Sequence, residues 1–339
     1  MMGNDQYDLS EEEIVDLIAR NIVSKPGVTE HLSYPEDARD LLPRAPRILF
    51  SLDAYSISSL KLPWRNYNDV GWSALTGAIS DVIAKGGTPY ACMVGLGIRK
   101  EMWRETLLDM IMGLKEASDF YNVHIFGGDT NISNDPWIAI SVIGFTTAKK
   151  PPSRNGLKPG DHIVVTGIYG AMGYVAIHGF EKSIPQKWVI ELTKRPRTFS
   201  EVANVISNNY KGVSASMDVS DGLGYTLETM SKLSGYGIDL FNPPKRPMEL
   251  DDICAHDLHC IWEYVLVGGE EYGVVMGIRE KWLEKVTRDL DYFKVPYSII
   301  GKVKEAPPGV YINGVRFKIK RYDQFRGWAE TRVHMDNRG

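Results

Sequence analysis

The sequence predicts an α/β protein of two domains. Short apolar runs bounded by glycine or proline alternate with segments of helical periodicity along most of the chain, the pattern of a layered α/β structure. One stretch breaks the alternation near the middle: Ala148-Lys149-Lys150-Pro151-Pro152-Ser153-Arg154-Asn155-Gly156 combines charge, a double proline and turn formers. The chain has 339 residues, about two domains' worth at roughly 100–200 residues each. The expected division is 1–150 and 151–339.

The first helix is announced by a capping box, Ser10 with Glu13, followed by Ile14, Leu17, Ile18 and Ile22 at helical spacing. Arg47 to Leu52 reads as a strand that delivers Asp53 at its end. A helix is expected from Asp69, as N-cap, to Gly86-Gly87. Tyr90, Cys92, Val94, Leu96 and Ile98 alternate with small residues, which predicts a strand. Trp103, Leu107, Ile111, Leu114 and Ala117 mark an amphipathic helix. Val123 to Phe126 forms a short strand ending in Gly127-Gly128-Asp129-Thr130, and Ile138 to Phe145 another. In the second half, His162 to Thr166 and Gly273 to Ile278 read as strands. Asn313-Gly314 between Val310-Tyr311-Ile312 and Val315-Arg316-Phe317 predicts a hairpin.

Composition narrows the function. Hydrophobic content of 43% and charged content of 24% are those of a soluble globular chain. A net charge of −4 argues against nucleic acid as a partner, which leaves a basic footprint. No apolar run reaches the roughly 18 residues of a membrane span, and the polar N-terminus is unlike a signal peptide. Three cysteines make no disulfide framework, and a reducing, cytoplasmic location is expected. Cys254-Ala255-His256-Asp257-Leu258-His259-Cys260 holds four zinc-type side chains, but a tetrahedral site draws on separate elements. The segment therefore reads as a short polar helix with two ordinary cysteines.

Four acidic places carry the chemistry. Asp81 ends a stripe of small residues, Ala74, Gly77 and Ala84, on a helix whose core face is Trp72, Leu75, Ile79 and Val82. It is either a cation ligand or part of a solvated face. Asp129 follows two glycines whose N–H groups suit an anion nest, or it belongs to a plain turn. Asp218-Val219-Ser220-Asp221 places two carboxylates and a hydroxyl in four residues, a donor set suited to Mg²⁺; the alternative makes Asp221 an N-cap. Gly268-Gly269-Glu270-Glu271-Tyr272 is a fourth acidic turn, either solvated or binding a polar or cationic group. The P-loop and protein-kinase signatures are missing. Gly167 to Gly173 has G-x-x-G-x-x-G spacing, not the dinucleotide-binding form.

Together these motifs resemble the thiamine-monophosphate kinase family, a relative of aminoimidazole ribonucleotide synthetase, selenophosphate synthetase and the hydrogenase-maturation dehydratase. The resemblance runs from about Glu36 to Phe325 and rests on Ile79 to Pro89, Gly127 to Thr130, Arg154 to Asp161, Asp218 to Leu223 and Gly268 to Tyr272, in that order. It implies an N-terminal α/β domain that forms a shared barrel in a homodimer, a C-terminal α/β domain, and ATP between the domains. It implies metal ligands at Asp37, Ser51, Asp53, Asp81, Asp129, Asp218 and Asp221, nucleotide contacts at Gly128, Arg154 and Ser220, and thiamine contacts at Glu270 with an aromatic from Tyr322 or Phe325. Asp129, Arg154, Asp218 and Asp221 would serve catalysis. The chain departs from the family pattern at Glu36, Leu52, Leu60, Ala78 and Glu271.

The implied reaction is Mg²⁺-dependent transfer of the ATP γ-phosphate to thiamine monophosphate, giving thiamine diphosphate. Such a transfer needs positioning and charge neutralisation above all. An ionised acceptor phosphate needs no general base. Two other readings stay open: an ATP-dependent, purine-pathway synthetase-like enzyme with another acceptor, and a non-catalytic nucleotide-binding regulator.

Overall fold

The computed structural model describes residues 11–25, 32, 38–100, 104–323 and 327–330. In chain order the first elements are α1 (Glu11–Ile22), β1 (Arg47–Ser56), α2 (Ile57–Leu60), α3 (Tyr67–Ala84), β2 (Thr88–Ile98), α4 (Arg104–Tyr121), β3 (His124–Ile132) and β4 (Trp137–Thr146). Next come β5 (His162–Thr166), α5 (Ala171–Ser183), α6 (Lys187–Thr193), α7 (Glu201–Asn208), β6 (Val213–Asp218), α8 (Leu223–Ser234), β7 (Gly237–Leu240), α9 (Met248–Ile253) and α10 (Leu258–Val267). The last are β8 (Val274–Ile278), α11 (Leu283–Tyr292), β9 (Tyr297–Lys304), β10 (Gly309–Ile312), β11 (Val315–Arg316), β12 (Lys320–Asp323) and β13 (Gly327–Glu330). They form two α/β units: Met1–Pro151 with Ile190–Asn208, and Pro152–Val189 with Asn209–Gly339. No described helix is long and apolar enough to cross a membrane.

The first unit is built around α3. Asn66, not Asp69, caps this helix: the Asp69 N–H donates to Asn66 Oδ1 at 2.8 Å and the Asn66 N–H donates to Asp69 Oδ2 at 3.0 Å. The sequence reading was three residues late because both residue types cap well. From Asn68 to Ala84 every residue of α3 is buried except Asp81. Helix α4 lies directly against it. A Cβ at Gly71 would lie 2.1 Å from the Met110 carbonyl oxygen, and one at Gly113 would lie 1.8 Å from that of Asn68. Glycine is needed at both positions for the backbones to approach so closely.

Polar side chains tie the returning segment Ile190–Asn208 to the same unit. Asp69, 1% exposed, accepts from Arg195 Nε at 2.8 Å, and Arg195 Nη1 reaches Glu116 at 2.8 Å. The Trp72 indole donates to Pro196 O at 2.8 Å, and Arg65 Nη2 donates to Thr193 O at 2.6 Å. The sequence gives no local sign of this return.

The four strands of this unit run in the order β1-β4-β2-β3, with β2 and β3 parallel and the other pairs antiparallel. Helices α3 and α4 cover one face. On β1 the other face carries Ile48, Phe50 and Leu52, which are 52%, 70% and 64% exposed. Two boundaries differ from the sequence reading. β1 runs on to Ser56, so Asp53 lies inside the strand, and β3 runs on to Ile132, so Gly127 to Thr130 lie within it.

The second unit holds a seven-stranded sheet, β11-β10-β7-β9-β5-β8-β6, antiparallel except for β10 with β7. Helices α5 and α8 pack on α10. Asn313 and Gly314 take positive φ, 49° and 81°, between β10 and β11, the hairpin turn their pairing predicts.

A Gly71→Ala substitution drives a methyl into the Met110 carbonyl. It is expected to destabilise the protein by about 1–3 kcal/mol, read as a lower urea midpoint with unchanged slope. A midpoint equal to wild type would contradict the close α3–α4 packing.

Candidate active site

In the first unit, three of the expected ligands are associated with β1 and α3. Ser51, Asp53 and Tyr55 alternate with Phe50, Leu52 and Ala54, so they lie on the better covered face of β1. Ser51 Oγ donates to Ala78 O at 3.4 Å, three residues before Asp81 on α3. Tyr55 donates to Asp53 Oδ2 at 3.2 Å. The solvated-face reading of Asp81 does not hold, because Asp81 is the one residue between Asn68 and Ala84 that is not buried, with buried neighbours on every side.

Asp129 lies apart from these. Asp53 registers with Ile140 on β4, Ile140 with Val94 on β2, and Val94 with Gly128 on β3. β1 and β3 are thus the two edges of the sheet, three strand spacings or about 14 Å apart. A single ion cannot span that gap within one chain. The plain-turn reading of Gly127 to Thr130 fails because the run is strand. Gly128 is explained by packing: a Cβ there would lie 1.7 Å from Val94 O. Asp129 itself is exposed. Asp37 falls outside the described residues.

In the second unit, β6 ends at Asp218, which is buried at 3% exposure, and Asp221 is exposed. Asp221 is not the cap of α8: that position is Gly222, at φ 107°. The β6–β8 pairing continues beyond Asp218 as three backbone bonds. Val219 N–H donates to Gly273 O at 2.9 Å, Tyr272 N–H to Val219 O at 2.9 Å, and Glu270 N–H to Ser220 O at 2.7 Å. Two acidic motifs some fifty residues apart in sequence are thereby one assembly. Arg154 is exposed beside the same strand: Ser153 bridges to Ala215, and the Ser216 N–H donates to Ser153 O at 3.0 Å. Asp161 is a structural residue, accepting from the Lys158 N–H at 2.9 Å and from Ser214 Oγ at 2.6 Å.

Backbone strain concentrates in the Gly268–Gly273 turn. Glu270 and Tyr272 both take positive φ, 55° and 39°. Non-glycine residues in that region cost of order 1–3 kcal/mol each and persist only where the surroundings fix them. Here the bonds to Val219 and Ser220 do so, and Tyr272 is buried at 2% exposure.

Sequence reasoning missed Glu271, whose carboxyl is not solvated. Oε1 accepts from the N–H of Gly170 at 2.8 Å and of Met172 at 3.2 Å, and Oε2 is buried with no hydrogen-bond partner among the described residues. Burial pushes its pKa up to about 8, against the opposing pull of these N–H groups. Buried Tyr169 is also pushed well above its ordinary value, by burial first and then by Glu271 and Asp218. One clue was available: the Gly170 start of α5 has no side chain to cap it, so an acceptor had to come from elsewhere.

Among the described residues, no three His, Cys, Asp or Glu side chains gather in a group able to hold a metal. The donor set nevertheless has the chemistry of a magnesium site, carboxylates and hydroxyls with Asp129 and Asp221 open to water. Mg²⁺ is commonly held by one or two carboxylates, with waters and phosphates completing its shell. Tyr322 lies on β12, paired with Trp328 on β13, and Phe325 is outside the described residues.

The reading of 254–260 as a polar helix with ordinary cysteines is overturned. Residues 254–257 turn between α9 and α10, Cys260 lies in the first turn of α10, and Cys254 and Cys260 form a disulfide with Cα atoms 5.6 Å apart. Asp257 caps α10 by accepting from the Cys260 N–H at 2.9 Å. The third cysteine, Cys92, is buried, which pushes its thiol up to about 12.

The fold and the acidic motifs define a class. Residues 37–146 match the AIR synthase related protein N-terminal domain and residues 158–313 its C-terminal domain, so the chain belongs to the AIR synthase-related family. Within it, the chain is similar to the thiamine-monophosphate kinase of Aquifex aeolicus, 29% identical over 76% of this chain and 81% of the relative. It is 25% identical to that of Nitrosopumilus maritimus, over 96% of this chain and 99% of the relative. The crystal structure of thiamine-monophosphate kinase from Stenotrophomonas maltophilia K279a shares the fold, with a TM-score of 0.74 at 19% identity over 85% of this chain and 92% of that one.

Thiol titration checks the cysteine assignment. Without reductant, the native protein is expected to give no reactive thiol and the denatured protein one, from Cys92; reduction before denaturation raises that to three. Three thiols without reductant would contradict the disulfide.

Proposed function

We propose that the chain is a thiamine-monophosphate kinase, transferring the γ-phosphate of ATP to the phosphate of thiamine monophosphate. The observation that carries this reading is similarity to thiamine-monophosphate kinases along nearly the whole chain, together with the acidic motifs in family order. Asp53 and Asp81, Asp129, and Asp218 with Asp221 are the carboxylates proposed to hold Mg²⁺. When bound, the ions neutralise triphosphate charge. Arg154, exposed beside β6, binds and orients the nucleotide phosphates, with Gly128 and Ser220 as further contacts. Glu270 faces the cationic thiazolium, joined by Tyr322 or Phe325. The acceptor phosphate is already ionised, so direct in-line transfer needs no base and no phosphoenzyme.

We further propose a homodimer in which each active site draws on both chains. Two features of the first unit support it. The open face of β1 carries Phe50 and Leu52 at 70% and 64% exposure, apolar area that a monomer seldom leaves to water. Asp53 and Asp129 sit on opposite edges of the sheet, and β1 of one chain beside β3 of another would bring those two edges together.

Incubation with Mg²⁺, ATP and thiamine monophosphate is expected to yield thiamine diphosphate, resolved by chromatography. Asp81→Ala, Asp129→Ala and Asp218→Ala should each lower turnover on the order of 100-fold or more with the fold retained. Full activity in excess chelator, or wild-type rates in all three variants, would sink the proposal.

A further inference from the structure

We propose that Glu271 is a positioning residue, a latch that caps helix α5 from outside and so fixes the turn that presents Glu270. The proposal rests on the reading of Glu270 as a substrate contact.

Helix α5 begins without a cap of its own. Its N-cap is Gly170, in a left-handed conformation and with no side chain. The first N–H groups of a helix have no partner within the helix, and the helix dipole favours negative charge there. Glu271 Oε1 supplies the acceptor for both Gly170 and Met172. The carboxyl comes from a turn one hundred residues away in sequence.

Packing and backbone bonds hold the turn on both of its sides. A Cβ at Gly268 would lie 2.4 Å from the Gly173 nitrogen, so the turn lies directly on the first residues of α5. A Cβ at Gly273 would lie 1.9 Å from the Tyr169 hydroxyl and 2.0 Å from Thr166 O. On its other side the turn is bonded to Val219 and Ser220. It is therefore gripped between the α5 start and the Asp218–Asp221 segment. Glu270 and Tyr272, the two residues with strained backbone, flank Glu271 directly. A side chain anchored between them sets the direction in which Glu270 leaves the turn. The same carboxyl is buried at its second oxygen, Oε2, which has no hydrogen-bond partner among the described residues.

Amide hydrogen exchange of the wild-type protein tests the latch without any substrate. The Gly170 and Met172 amides should exchange as slowly as bonded amides of the adjacent strand β5; exchange as fast as exposed loop amides would overturn the proposal. Two variants extend the test. Glu271→Gln keeps an acceptor at Oε1 and should retain both protection and kinetics within about threefold. Glu271→Leu removes the acceptor at similar size. It should lose protection at 170–172 and raise the KM for thiamine monophosphate on the order of 10-fold, the loss of a charge-assisted bond, with the KM for ATP unchanged. Unchanged protection in Glu271→Leu refutes the latch. Lost protection with both KM values unchanged refutes its role in presenting Glu270. If the wild-type protein does not use thiamine monophosphate, it is the functional reading that fails, and the exchange data still decide the latch.

Discussion

The order of the four strands in the first unit constrains how its carboxylates can be used. Strand β1 carries Asp53 at one edge and β3 carries Asp129 at the other, with β4 and β2 between them. Backbone hydrogen bonding sets that separation, so no side-chain rearrangement closes it. The same strands leave Ile48, Phe50 and Leu52 facing away from α3 and α4. An apolar open face and divided acidic edges are two consequences of one sheet, and the proposed second chain would answer both. Helix α3 adds the third constraint: Asp81 is the one residue from Asn68 to Ala84 that is not buried.

In the second unit the controlling feature is the extension of the β6–β8 ladder. Past Asp218 the strands continue to exchange backbone bonds through Val219, Ser220, Glu270, Tyr272 and Gly273. Two motifs distant in sequence are thus joined by the same interaction that holds the sheet. The strain at Glu270 and Tyr272 is sustained by that bonding and by Glu271 at the start of α5. Loops organised by a rigid sheet in this way are where binding residues are usually found.

Much of this was legible in the sequence, for physical reasons that differ from element to element. The strand His162–Thr166 and the Asn313-Gly314 hairpin were read correctly because alternation, apolar runs and turn chemistry are local. Helix α3 was found by its apolar faces, but its cap was misplaced from Asn66 to Asp69, since capping-box partners look alike one turn apart. The ends of β1 and β3 were set too early because Asp53 and Gly127-Gly128-Asp129 are poor strand formers, and the residues that follow are held in the sheet by pairing with β4 and β2. The Cys254–Cys260 disulfide depends on how the α9–α10 connection turns the end of one helix onto the start of the next, which residue spacing alone does not fix. Glu271 looked like half of a solvated pair, because its partners, Gly170 and Met172, are contributed by a distant segment. The acidic motifs were visible; which of them meet was not.

The claim that each active site is assembled from two chains is tested most directly by subunit mixing. Asp53→Ala and Asp129→Ala proteins are each expected to be inactive. Denatured together in equal amounts and refolded, they should recover about a quarter of wild-type thiamine diphosphate formation, since random pairing makes half the dimers mixed and each mixed dimer holds one intact site of two. No recovery beyond the two variants alone, with mixed dimers demonstrated by differently tagged chains, would contradict the shared site.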